Sequence, residues 1–276
     1  MKKLIIALLA VFLIVMAAAP ASFAAERGKV LVVHGGADAV GEGDKAIGDK
    51  IASMPGFTQV DYIHAPKTDE NSWKGYSLVF IGESVSSADV NTKFTKAECY
   101  IICSEPGLWD ELLFGAYDSA YDSDSFNGTY KAKNDILKTG ITSFKGFTKD
   151  ETPGFLKEWS DGVTVIFENE KGAPAVTLVE KGGKLIDGSA STGPRSTFFN
   201  RGQSAANFTD ESWKIFTALI DYVLPLPVET TTAAAKAAAA KPAAAAQTFD
   251  AGIALWIMAA GAALSGGVLA LKRRQS

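Results

Sequence analysis

Two histidines occur in the 276 residues, His34 and His64, and each follows a short run rich in β-branched and aromatic residues. Each would stand at the carboxyl end of a strand. On neighbouring strands, two imidazoles with the carboxylate of Asp38 or Glu83 would make a two-histidine, one-carboxylate metal site. The alternative is that each ring closes its strand end by hydrogen-bonding a loop. The spacing matches no established metal signature, so neither a metal nor any other cofactor is assigned.

Other side chains could also do chemistry. Ser84, Ser86 and Ser87 follow the run Leu78–Ile81. A serine nucleophile would need a Gly-x-Ser-x-Gly elbow and a downstream histidine, and the sequence has neither. These serines are expected to cap the next helix or to bind a polar ligand. Glu83 and Glu105 would end adjacent strands, as a carboxylate pair for sugar chemistry or as loop anchors. Arg195, after Gly193-Pro194, could grip an anionic group through two hydrogen bonds, or pair with a carboxylate. Asp122 to Gly128 has the composition of a calcium loop, but its Asn and Gly come one residue late for an EF-hand, which also fits a solvated turn. Cys99 and Cys103 would lie about 13 Å apart along one strand, Glu98 to Cys103, too far to bridge.

The elements that must position these residues are legible in the apolar pattern. Lys29 to His34, Thr58 to His64, Leu78 to Ile81 and Tyr100 to Ile102 read as strands. Helical patterns lie between them, at Ala46 to Ser53 and around Val90 and Phe94, with Ser86 and Asp89 as a capping pair. A short helix is expected over Leu108 to Phe114. Alternating strands and helices with continuously apolar strands predict an α/β fold, a flavodoxin-like or Rossmann-like three-layer sandwich with a mainly parallel sheet. Val163 to Glu168, Ala175 to Val179 and Lys184 to Ile186, separated by glycine turns, predict an added antiparallel hairpin region. Thr209 should cap a last helix carrying Trp213, Phe216 and Ile220 on one face. Ligands of open α/β sheets bind beyond the carboxyl ends of the strands, where strand order reverses. That rule makes His34, Gly35, Asp38, Glu83, Ser84, Ser86 and Glu105 the candidate ligand-binding residues, with Arg195 added as an anion donor. No catalytic residue is assigned.

The chain ends carry a different kind of information. Lys2 and Lys3, the apolar run Leu4 to Ala19 and the small-residue exit around Ser22-Phe23-Ala24 read as a signal peptide over residues 1–24. Residues 251–271 carry no charge and would span about 31 Å as a helix, enough for a bilayer. The basic tail 272–276 would stay in the cytoplasm and leave the rest outside. Residues 228–250, rich in Ala, Thr and Lys, read as a stalk. The expected product is a cell-surface protein anchored through its C-terminal helix, with its folded domain over 26–225. That domain has 20 basic against 29 acidic side chains, a net charge of −9, which argues against nucleic acid as a partner.

The order of strands and glycine loops, with LVFIGESVSS at 78–87, IICSEPGLWDEL at 101–112 and GPRSTFF at 193–199, resembles the class I glutamine-amidotransferase-like superfamily. It is most similar to its trehalose-utilisation-protein-like branch. Active amidotransferases of that superfamily carry a cysteine in a Gly-x-Cys-x-Gly turn and a later His-x-Glu pair. Here Cys103 lacks flanking glycines and no histidine follows His64. The resemblance therefore implies the fold without the glutaminase triad. The C-terminus resembles a degenerate sortase-type sorting signal, in which only Thr248 matches, or a simple membrane anchor. Together these readings predict a surface binding module for a small polar or carbohydrate ligand or a surface protein. The alternative is a hydrolase or sugar-processing enzyme using the crevice carboxylates and histidines.

Overall fold

A computed structural model describes residues 26–117, 128–151, 153–199 and 204–226. The segments expected to form a signal peptide, stalk, membrane helix and basic tail, and most of the calcium-loop candidate, lie outside the described residues. Among the described residues, no helix is long and apolar enough to cross a membrane.

The centre is a five-stranded sheet. Its strands are β1 (Gly28–His34), β2 (Phe57–His64), β3 (Leu78–Ile81), β4 (Tyr100–Cys103) and the late β11 (Arg195–Thr197), in the spatial order β11-β4-β3-β1-β2. Every neighbouring pair in it is parallel. This is the flavodoxin-like order, and the chain reverses direction across the sheet between β1 and β3. The continuous apolar runs follow from burial on both faces, because alternate residues point to opposite sides. Val30, Val32, Leu78, Phe80, Tyr100 and Ile102 face one layer, with Ile47 and Ile51 of α1 (Glu42–Ala52) and Ile215, Phe216, Leu219 and Ile220 of α3 (Asp210–Val223). Leu31, Val33, Val79, Ile81, Ile101 and Cys103 face the other, against Val90 of α2 (Ser87–Val90), Phe94 and Trp109. Each large side chain so buried contributes about 1.5–3 kcal/mol. Phenylalanines concentrate on the α3 side, where Phe216 meets Phe80 and Phe198 edge-on, at 6.0 and 5.3 Å between ring centres.

The antiparallel region is larger than the turn pattern suggests. β6 (Thr129–Ala132), β7 (Ser143–Lys145), β9 (Thr164–Glu168) and β10 (Pro174–Leu178) form a sheet ordered β10-β9-β6-β7, while β5 (Gly115–Tyr117) pairs with β8 (Leu156–Trp159). The expected hairpin of β9 and β10 is present. Lys184 to Ile186 is not a strand. It makes a single bridge to Ala190 around a tight turn at Asp187-Gly188, whose glycine has a positive φ of 84°.

The helix expected over Leu108 to Phe114 is also absent. A 3-10 turn at Pro106–Leu108 is followed by turns, and Leu113 takes a φ of 63°. That geometry breaks the helix so that Trp109, Leu112 and Phe114 can all reach the core, each at most 1% exposed. Thr209 caps α3 as expected, its hydroxyl accepting from the Ser212 N–H. Ser86 occupies the start of α2 but makes no side-chain cap bond. Cys99 precedes β4 instead of lying in it, and both cysteines are free thiols.

Candidate functional site

The reversal between β1 and β3 brings the Gly35-Gly36 loop against the Gly82-Glu83-Ser84 loop. Their approach is so close that a Cβ on Gly35 would lie 1.8 Å from the Ser84 carbonyl oxygen. Only glycine fits there. The contact is held by a relay. The Gly35 N–H donates to Ser84 Oγ at 2.8 Å, and Ser84 Oγ donates to Asp44 Oδ2 at 2.5 Å. Asp44 sits in the first turn of α1, where the helix start favours an anion. Its other oxygen lies over Gly82, where a Cβ would come within 2.0 Å of Oδ1. Two residues flagged by sequence, Gly35 and Ser84, are thus joined by a third that sequence reasoning missed. An aspartate in a polar first turn carries no signal of its own. The glycine at position 82, opposite it in the fold, is the only trace.

Two shallow depressions open on this seam and share Ala39. One, of about 280 Å³, is lined by Gly35, Gly36, Asp44 and Ser84. The other, of about 290 Å³, is lined by His34, Asp38, Tyr62, His64 and Lys67. The histidines stand in register on β1 and β2, with ring centres 5.9 Å apart. His64 Nε2 lies 3.2 Å from the Gly35 carbonyl oxygen, a strand-end bond to a loop. Among the described residues, no group of three histidine, cysteine, aspartate or glutamate side chains could hold a metal ion. The two-histidine, one-carboxylate centre with Asp38 or Glu83 therefore does not form.

The electrostatics follow from burial. Asp44 is 5% exposed, and burial raises its carboxyl from 3.8 to about 6, against the opposing pull of the Ser84 hydrogen bond. His34 is held below its ordinary value, first by burial and then by the nearby His64, while the Gly36 backbone acts in the opposite sense. The seam therefore presents a hydroxyl, a glycine-loop backbone, a carboxyl that burial makes reluctant to ionise and an imidazole that resists protonation.

The remaining candidates fall elsewhere. Glu83 is half-buried in the loop beside Ser84 and lines neither depression. Ser86 is exposed at the start of α2 and also lies outside them. Glu105 is a loop anchor, with Oε1 accepting from the Gly107 N–H at 2.9 Å. Arg195 is the clearest correction. It is 1% exposed and points into the protein, donating to the Leu112 carbonyl at 2.7 Å and the Thr95 carbonyl at 2.8 Å. The first position of β11 lies alongside Ile101, within the sheet and away from its carboxyl edge. Cys103 is fully buried, and burial pushes its thiol well above the ordinary range. A thiol so placed is no nucleophile.

No protein-family model and no curated protein matches the chain. Solved structures do. A protein assigned as a GMP synthase component from Thermoplasma acidophilum aligns over 71% of this chain and 93% of its own, with 9% identity and a TM-score of 0.51. A ThuA-like protein from Bacteroides uniformis aligns over 74% and 94%, with 12% identity and a TM-score of 0.48. A glutamine amidotransferase from Thermotoga maritima aligns over 71% and 85%, with 13% identity and a TM-score of 0.40. The described domain thus shares a mainly parallel, flavodoxin-like α/β fold with the first of these structures, while what it binds or transforms rests on its own residues.

Proposed function

We propose that the chain is an extracytoplasmic, membrane-anchored binding module that holds a small polar or carbohydrate ligand, or a surface partner, at the carboxyl ends of β1 and β3. The observation that carries this reading is the Gly35–Ser84–Asp44 relay. It preorganises donors and acceptors beside two open depressions, while the nearby thiol of Cys103 is sealed in the core. Preorganised polar groups on a rigid seam favour binding, because little ordering is left for the ligand to impose. The anchor and the export signal rest on the apolar termini and the basic tail.

The test is a titration of the full-length protein in lipid nanodiscs against neutral oligosaccharides and cell-wall fragments. A ligand should bind, Ser84→Ala should weaken it about tenfold, and glutamine should release no ammonia. Turnover of a panel compound without stable binding would overturn the reading in favour of a sugar-processing enzyme. That second reading is favoured by Asp44, whose carboxyl at about 6 is poised for proton transfer near neutrality. It requires Asp44→Asn to abolish turnover with folding intact.

A further inference from the structure

We infer a second binding pocket, for a uronic-acid-type saccharide, between the β2–β3 connection and the segment that follows α2. It encloses about 520 Å³, within the range of small-molecule sites, and shares no lining residue with the seam between β1 and β3.

The pocket combines an apolar ring with cations. Trp73 is half-buried against the apolar layer on this side of the sheet, and its Nε1 donates to the Glu70 carbonyl at 2.9 Å, which fixes the ring plane. Lys74 Nζ stands 5.9 Å from the centre of that ring. Lys93 Nζ donates to the Asp89 carbonyl at 2.5 Å and to Thr68 Oγ1 at 3.4 Å. Among the described residues, none of Lys74, Lys93 and Lys96 forms an ion pair with a carboxylate. In a domain with a net charge of −9, three such cations around one tryptophan are more than solubility asks for. Two carboxyls, Glu70 and Glu111, also line the space. Burial and then the hydrogen bond with Asp110 raise Glu111 to about 7, so near neutrality it opposes an anion less than its formal charge suggests.

The pocket is also built from below. Arg195 ties the Thr95 carbonyl to the Leu112 carbonyl, joining the two strips of chain that form one wall, and Thr95 Oγ1 donates to the Glu111 carbonyl at 2.9 Å. This guanidinium is almost fully buried, and the carboxylate whose charge acts on it is that of Asp187, which does not line the pocket. A pyranose ring offers a C–H face to Trp73, a carboxylate to the lysines and hydroxyls to Asn71 and Thr92. A neutral sugar would leave the cations unanswered, and a bare inorganic anion would leave the tryptophan unused.

The experiment is isothermal titration of full-length protein in nanodiscs with trigalacturonate, maltotriose and inorganic phosphate. Trigalacturonate should bind at least about tenfold more tightly than either other probe, and raising the salt should weaken it. Trp73→Leu and the exposed Lys96→Met should each reduce its affinity severalfold with far-UV circular dichroism unchanged. Ser84→Ala should leave it unaltered, which separates this pocket from the seam. Equal affinity for maltotriose would overturn the charge requirement, and equal affinity for phosphate would overturn the ring requirement. Absence of trigalacturonate binding, or binding indifferent to both Trp73→Leu and Lys96→Met, would overturn the pocket itself.

Discussion

Replacing Asp44 by asparagine should stabilise the domain at high pH and do nothing at low pH. The carboxyl rises from 3.8 to about 6 on folding, with burial as the leading cause. The folded state therefore holds this proton more tightly than the unfolded state. Stability from the group is fully present below its unfolded value near pH 4 and is lost as pH climbs through about 6. At about 1.36 kcal/mol per pH unit, the loss amounts to about 3 kcal/mol above pH 7. Asparagine keeps the shape and can still accept the Ser84 hydrogen bond, but it never ionises. It forfeits the attraction between an anion and the start of α1, roughly 0.5 kcal/mol. The variant should therefore be about 2 kcal/mol more stable than the parent at pH 8 and equal to it at pH 4. For a domain of this size that is a melting temperature about 4–8 °C higher at pH 8. Thermal denaturation followed by near-UV circular dichroism across this range reads the difference, in which the titration of His34 largely cancels. A variant that is less stable at pH 8, or a difference that does not vary with pH, would refute the assignment of Asp44 as a buried, reluctantly charged acid.

Three further outcomes are expected. His64→Gln should raise the pKa of His34 in an NMR titration, since the charge of His64 is the second cause of its depression after burial; no rise would contradict that cause. Arg195→Met should destabilise the domain by about 2–4 kcal/mol in denaturant unfolding, because the buried carbonyl of Leu112 and the part-buried carbonyl of Thr95 lose their donor. An unchanged midpoint would mean that the desolvation of the guanidinium offsets both bonds. Cys103 should resist thiol reagents at pH 8 and react at least about a hundredfold faster in denaturant, with rapid labelling of the native protein as the contrary result.

The parallel sheet was legible because strands buried on both faces must be apolar at every position, and Leu78 to Ile81 and Tyr100 to Cys103 are fully buried. The reversal point was legible for the same reason, since strand order and loop glycines together indicate where the loops meet. Short antiparallel strands were not. β7 and β8 each show mainly exposed residues, and their pairing is set by distant partners instead of by local pattern. The site was half legible. His34, Gly35, Asp38 and Ser84 line the seam as position predicts, whereas Asp44 depends on a contact with a loop forty residues away. Arg195 misled because a guanidinium after Gly-Pro looks like a surface donor. Only the packing of residues 95 and 112 around it reveals a buried brace. Ser86 misled in the opposite way. A capping pattern was read where two residues upstream a different hydroxyl, Ser84, spans the loops.

The two margins of the central sheet are not equivalent. On one side, Arg195 and Val179 exchange hydrogen bonds of 2.8 and 2.9 Å, so β11 is zipped onto the chain leaving β10 and its margin is occupied from within. On the other side, β2 ends the sheet with Thr58, Gln59 and Tyr62 open to solvent. Of these two margins, the β2 border alone keeps an unoccupied edge among the described residues, and an open edge of that kind is where a sheet can be extended.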